Sequence, residues 1–132
     1  MRTHCSGQRL LFQGPGRRDT VLPFNGGRIS SIGGVMLLRE VDRRRRIVER
    51  FAECFDDARD AGQVEHSVEE LLRQRLYGLA GGYEDLNDHE ELRTDALLAA
   101  AVGKTDPTGE TRTRGRDRGK PLAGKSTLNR LE

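Results

Sequence analysis

Three groups of residues in this chain have the types and spacing that chemistry requires. Gly119 to Thr127, GKPLAGKST, satisfies G-x-x-x-x-G-K-[ST], the pattern in which backbone N–H groups and a lysine cradle nucleotide phosphates. That chemistry needs a buried strand leading into the loop and a helix of several turns leaving it. Thr105 to Arg118 contains no apolar run able to form such a strand, and only LNRLE follows Thr127, about one helical turn. The better reading is a basic loop, capped by Ser126 or Thr127, that opens a short helix. Gly81 to Glu91, GGYEDLNDHEE, gathers Asp85, Asp88, His89, Glu90 and Glu91, which in principle suit a metal or acid–base work. The spacing matches no calcium loop, and zinc would want more His or Cys than His66 and His89 supply, so capping and surface charge are the expected roles. The third group is cationic: Arg43-Arg44-Arg45-Arg46, and Arg112, Arg114, Arg116 and Arg118 at every second position. Such clusters neutralise phosphates without reading bases, and they also occur as solvated helix ends.

The elements that must carry these groups follow from patterning. At 132 residues the chain is one domain, and Leu, Ile, Val and Phe make up 30 residues, enough for a thin core. Net charge is only +2, but it is partitioned. Residues 1–46 hold ten Lys and Arg against three acids, residues 47–103 five against fourteen, and residues 104–132 eight against four. Basic ends around an acidic middle suggest either nucleic-acid contact or pairing between segments. Cys5 and Cys54 make no disulfide framework, and Cys54 beside an apolar stripe reads as a small buried hydrophobe. Neither a signal sequence nor an apolar run of spanning length is present, so a cytoplasmic protein with no membrane partner is expected.

Residues 1–20 read as a flexible arm. Val21 to Ile32 reads as a β-hairpin turning at Asn25-Gly26-Gly27, with Pro23 confining the first strand to an edge. Val35, Leu38 and Val41, with Leu37 beside them, form one helical stripe. Ile47, Val48, Phe51, Ala52 and Phe55 form another, separated from the first at the four arginines. Ser67-Val-Glu-Glu70 is a capping box, with His66 in its turn; it opens a helix with stripe Val68, Leu71, Leu72, Leu76 and Leu79 that stops at Gly81-Gly82. Shorter helices are expected at Leu86 to Leu92 and Asp95 to Val102, the second between an Asp95 cap and a Gly103 stop. The expected organisation is therefore an arm (1–20), a hairpin plus helical domain (21–103), a basic linker (104–120) and the start of a helix (121–132).

Taken together, GVMLLREVDRR (Gly34 to Arg44), VEHSVEELLRQRLYGLAGGYEDLNDHEELRTDALL (Val64 to Leu98) and GKPLAGKSTLNRLE (Gly119 to Glu132) resemble the N-terminal region of bacterial insertion-sequence transposases of the DDE group 1 type. FNGGRISS agrees, and GYEDLNDH is the most specific part. The resemblance implies a mainly α, small helical domain with an N-terminal β-hairpin, truncated before the ribonuclease-H-like catalytic domain. Full-length members use three carboxylates and two Mg²⁺ ions to cut and rejoin DNA. No catalytic carboxylate, metal or cofactor is assigned within this chain, and Asp85, Asp88 and Glu90 are not that triad. It also implies a part in DNA transposition, through binding insertion-sequence ends or assembly with intact transposase subunits; the alternative is a remnant that pairs with and inhibits the intact enzyme. The residues expected to touch DNA are Arg43, Arg44, Arg45, Arg46, Arg112, Arg114, Arg116, Arg118, Lys125, Thr127, Asn129 and Arg130. Two departures stand out: relatives tend to have an apolar residue within Arg44 to Arg46, and a larger residue where Gly81 stands, which bears on packing after the main helix.

Overall fold

The computed structural model describes residues 9–14, 19–23, 25 and 28–131. The order is β1 (Arg9–Gln13), β2 (Asp19–Pro23), α1 (Val35–Arg45), α2 (Ile47–Ala52), α3 (Val68–Ala80), α4 (His89–Leu92), α5 (Ala96–Val102) and α6 (Lys125–Leu128). Single 3-10 turns at Leu86–Asp88 and Gly115–Asp117 precede α4 and α6 respectively. A mainly helical chain with one antiparallel β-hairpin is thus present.

The capping box starts α3 as the sequence requires. Ser67 Oγ accepts the Glu70 N–H and Glu70 Oε2 accepts the Ser67 N–H, each at 3.1 Å. Such a cap contributes about 1 kcal/mol. At the other end, the Tyr83 N–H reaches back to Gly78 O and the Gly82 N–H to Leu79 O, with Gly82 left-handed at φ 92°. This pairing satisfies carbonyls that a helix end leaves open. The same device closes α5, where Gly103 takes φ 111° and the Lys104 N–H bonds Ala99 O. Asp95 opens α5 by accepting the Leu97 and Leu98 N–H groups, both at 2.9 Å.

Helix α3 lies against α2 and α5, and α1 also packs on α5. Met36, Val48, Leu72, Tyr77, Leu98 and Val102 meet in the core beside Ala99 and Ala101, whose small side chains leave room for the neighbouring helices. Complete burial of one Leu such as Leu98 contributes about 1.5–3 kcal/mol. Inside this apolar set sits a charge. Asp42 accepts the Tyr77 O–H at 2.6 Å and the Val48 N–H at 2.8 Å, and Arg73 lies 3.5 Å away. One carboxylate thereby joins α1, the start of α2 and α3. Burial and the Asp42 bond hold the Tyr77 phenol well above its usual range, so it remains a donor.

The helices break at the arginine run as expected, with Arg46 in the left-handed conformation at φ 52° and its N–H on Asp42 O. The buried faces differ from the expected stripes. Met36 and Asp42 face inward with Val35, whereas Leu37 and Val41 point outward; Val48 is buried, while Ile47 and Phe51 are exposed. Asp42 decides this, because its bonds to Tyr77 and Val48 turn its own side of α1 toward the core. Cys54 is exposed rather than buried, at the frayed end of α2.

The hairpin lies earlier than expected. Leu10 pairs with Leu22, Leu11 with Val21 and Phe12 with Thr20, so part of the expected arm is a strand and Val21 belongs to the second strand, not the first. Pro23 ends β2, compatible with its missing N–H. Asn25 is described, but Gly26 and Gly27 of the expected turn, and Met1 to Gln8 of the arm with Cys5, lie outside the described residues. Residues 28–32 form no strand because side chains hold them. Ser30 Oγ donates to Asp95 Oδ2 at 2.7 Å and accepts the Ile32 N–H at 3.2 Å; the Tyr83 O–H donates to Ser31 Oγ at 2.7 Å. Ile32 then fills the space at Gly81, where an added Cβ would stand 2.6 Å from its Cδ1. The small residue after the main helix is matched by this chain's own isoleucine.

Residues 120–124 are secured by Gln74, a polar residue buried in α3. Its Oε1 accepts the Ala123 N–H at 3.0 Å and its Nε2 donates to Ala123 O at 2.8 Å and to His89 Nδ1 at 3.2 Å. Gln74→Ala leaves both peptide groups of Ala123 buried without these partners, so we expect a loss of about 3 kcal/mol, read as a drop in the urea midpoint with an unchanged slope.

Candidate nucleic-acid interface

The segment expected to be a flexible basic linker is a folded loop. Asp106 organises its entry: Oδ1 accepts from the Thr108 and Gly109 N–H groups and the Thr108 hydroxyl, while Oδ2 accepts from the Thr111 N–H and hydroxyl. These bonds, the Thr111 hydroxyl foremost, hold its carboxyl far below the usual range. The exit closes on the entry through the Gly119 N–H to Gly109 O, at 3.1 Å. Gly109 is left-handed, and a Cβ there would lie 2.8 Å from Pro121 N, so only glycine fits this approach. Arg112 ties the loop down by donating to Lys120 O at 3.1 Å and to Glu65 Oε2 at 2.9 Å.

This folding creates a groove of about 670 Å³ between the loop, the turn before α3 and α6. Arg59, Arg93, Arg112, Arg114, Arg116, Lys120 and Arg130 line it, against Asp60, Glu65, Glu90 and Asp117. The charges are layered. Asp117, nearly buried, lies 3.4 Å from Arg93 and 3.9 Å from Arg112, and Arg93 also meets Glu90 at 3.4 Å. Arg114 and Arg116 stand further out, 58% and 78% exposed, and among the described residues their ion pairs are long contacts of 3.8 and 3.7 Å to Glu65 and Asp117. Exposed pairs of that length contribute little, so those guanidinium groups are available to a solvent-borne anion.

His66 belongs to this groove as well as to the α3 cap. It is buried, with Arg112 Nη1 3.5 Å from its Nε2. Burial first, then the cations Lys104, Arg112 and Arg93, push its pKa down to about 3, with Asp117 opposing. The ring is neutral and receives the Arg112 N–H on Nε2.

The G-K-S string takes a form unlike a nucleotide loop. Pro121 to Gly124 are buried, Leu122 N–H is bonded to Arg93 O, and Gln74 holds Ala123. Glu90 Oε1 accepts the Lys125 N–H at 2.9 Å, placing a carboxylate at the start of α6 where a phosphate would have to sit. That bond holds Glu90 below its usual carboxyl range. Lys125 Nζ donates to Asn87 Oδ1 at 2.9 Å, and Asp85 in turn caps Asn87. Gly124 precedes α6 with no side-chain cap, so neither Ser126 nor Thr127 caps it.

Of the residues expected to touch DNA, Arg112, Arg114, Arg116, Thr127 and Arg130 line the groove. Arg118 instead reaches Arg112 O at 3.4 Å, Lys125 is held by Asn87, and Asn129 is exposed outside the lining. Arg43 to Arg46 are exposed at the α1–α2 junction and do not contribute to the groove; Arg43 lies 3.2 Å from Glu40 and Arg46 2.7 Å from Glu49. Arg59 and Arg93, which carry no local sequence pattern, are in the lining as well, and so is Lys120 at the end of the expected basic linker.

A model of the family described as "Transposase DDE domain group 1" matches residues 12–132. The chain belongs to this family. No curated protein and no solved structure matches it. Carboxylates among the described residues serve local structure. Asp85 caps a turn, Glu90 holds α6, and no three His, Cys, Asp or Glu side chains gather among the described residues. Nor is any helix among them long and apolar enough to cross a membrane.

A pH prediction follows from His66. Its folded pKa lies below the ordinary 6.5, so the unfolded chain takes up a proton first on acidification. The stability this contributes is complete above about 6.5 and is lost as pH falls toward about 3, at about 1.4 kcal/mol per pH unit. His66→Gln should flatten the fall of Tm across that window, measured by thermal melts in a pH series.

Proposed function

We propose that this chain contributes sequence-independent DNA binding to transposition, and that the groove between the 105–119 loop and α6 holds the phosphate backbone. The family ties the chain to DNA transposition. What carries the finer reading is the layering of charge: inner acids are matched by Arg93 and Arg112, while Arg114 and Arg116, held only by long exposed pairs, and Arg130 present positive charge at the rim. Phosphate contacts of this kind fix position and orientation, and base readout is left to other elements. Thr127 and Ser126 add hydroxyl donors on the same wall. A nucleotide-binding reading has no support in the loop geometry, since Glu90 and Gln74 occupy its backbone donors.

The test is fluorescence anisotropy with an arbitrary-sequence duplex over a salt series. Affinity should fall linearly with log salt, and Arg114→Ala, Arg116→Ala and Arg130→Ala should each weaken binding evenly across sequences and reduce the slope by about 1. Binding indifferent to salt, or unchanged in the triple variant, would overturn the proposal. Arg43→Ala is the control: it lies outside the groove, and its removal should leave the slope intact.

A further inference from the structure

Away from the groove, two surfaces of the chain are complementary to each other. The first is the outward stripe of α1: Leu37, Val41, Arg44 and Arg45 fall at i, i+4, i+7 and i+8, opposite the Val35, Met36 and Asp42 side that is buried. Leu37 is 65% and Val41 53% exposed. Among the described residues neither Arg44 nor Arg45 forms an ion pair, unlike Arg43 and Arg46 on either side. An apolar stripe ending in two unmatched cations is an unpartnered helix face.

The second surface is a cleft of about 1380 Å³ between β2, residues 28–33 and the α4–α5 pair. Its lining is mainly apolar, with Val21, Leu22, Leu92 and Leu97, and Ile29 stands 90% exposed at its mouth. Among the described residues four acids, Asp19, Asp88, Glu91 and Asp95, also line it, against one cation, Arg28. Asp95 is engaged in capping α5 and bonding Ser30; Asp88 and Glu91 are without a side-chain bond or ion pair among the described residues. The cleft is thus apolar with an acidic rim, and the α1 stripe is apolar with a basic end.

We infer that the α1 stripe of one copy of this chain docks in the hairpin–α5 cleft of a second copy. Charge complementarity selects this occupant: the cleft calls for an apolar helix bearing cations, and α1 of this chain is one. A chain cannot satisfy its own cleft, because α1 packs on α5 through its opposite side and its stripe faces away. The contact is therefore head-to-tail, joining two different surfaces, and each added copy presents the same free pair. It is independent of the DNA groove, which shares no residue with either surface.

Sedimentation velocity on the full chain tests this. The wild type should associate with rising concentration and dissociate as salt is raised, because both rims are exposed to screening. Two charge reversals, Arg44→Glu with Arg45→Glu, and Asp88→Lys with Glu91→Lys, should each be monomeric, with circular dichroism unchanged. Mixed in equal amounts they should associate again, since the unaltered stripe of the second variant fits the unaltered cleft of the first and the two reversed surfaces are once more opposite in charge. Leu37→Ser is the uncharged companion and should also be monomeric. A monomeric wild type, reversal variants that still associate, or a mixture that stays monomeric would each overturn the inference.

Discussion

A side-chain amide carries the same donor and acceptor as a peptide, and Gln74 uses both against Ala123. Most of what lies beyond α5 depends on that grip. The loop, the groove and α6 contain no strand and only short helical turns, so they have little hydrogen bonding of their own to hold a shape. Gln74 supplies a fixed point in the core, and the chain on either side is positioned from it. Leu122 and Leu128 are buried, and Arg112 reaches back to the carbonyls of Lys120 and Pro121. The residues around Gln74 are chosen to allow it. Gly78, one turn on, has no side chain, and a Cβ there would come within 3.0 Å of His89 Cε1.

Electrostatics acts at two depths in this small domain. Deep inside, Asp42 is satisfied by Tyr77, Val48 and Arg73, and the neutral His66 sits among cations without adding to them. Truncating one partner of such a set is costly because it leaves a buried charge or donor unmatched. Near the surface, acids and bases alternate in looser pairs whose geometry contributes little to stability. The difference explains how one loop has both structural and solvent-facing arginines: Arg112 is an internal strut, and Arg114, two residues later, is an exposed cation in a long, loose pair with Glu65.

Local chemistry made much of the helical part legible. The Ser67 capping box, the Gly82 and Gly103 stops, the Asp95 cap and the break at Arg46 are each decided by a few neighbouring residues, and each stands where its signal lies. What depended on distant partners was not legible. Asn25-Gly26-Gly27 resembled a hairpin turn, but Ser30 and Ser31 bond to Asp95 and Tyr83, 65 and 52 residues away, and the ladder forms between β1 and β2 instead. Leu37 and Val41 have the period of a buried face, yet a single polar residue, Asp42, turned the helix the other way. In the groove, the alternating arginines were visible as a pattern, but their division into buried and exposed followed from Glu65 and Asp117.

The loop that forms one groove wall is closed at its base, where the Gly119 N–H meets Gly109 O and Gly109 lies against Lys120 and Pro121. Its span between those contacts does not enter the core, and the entropy of closing a flexible span rises only by about 0.6 kcal/mol for each doubling of its length. Between the fixed residues Thr111, Arg112 and Asp117, the exposed positions from 113 to 116 are therefore a part of this molecule whose length and charge can drift during descent with little effect on folding. The exposed rim of the groove is the component most open to evolutionary retuning, while the α3 scaffold beneath it stays fixed.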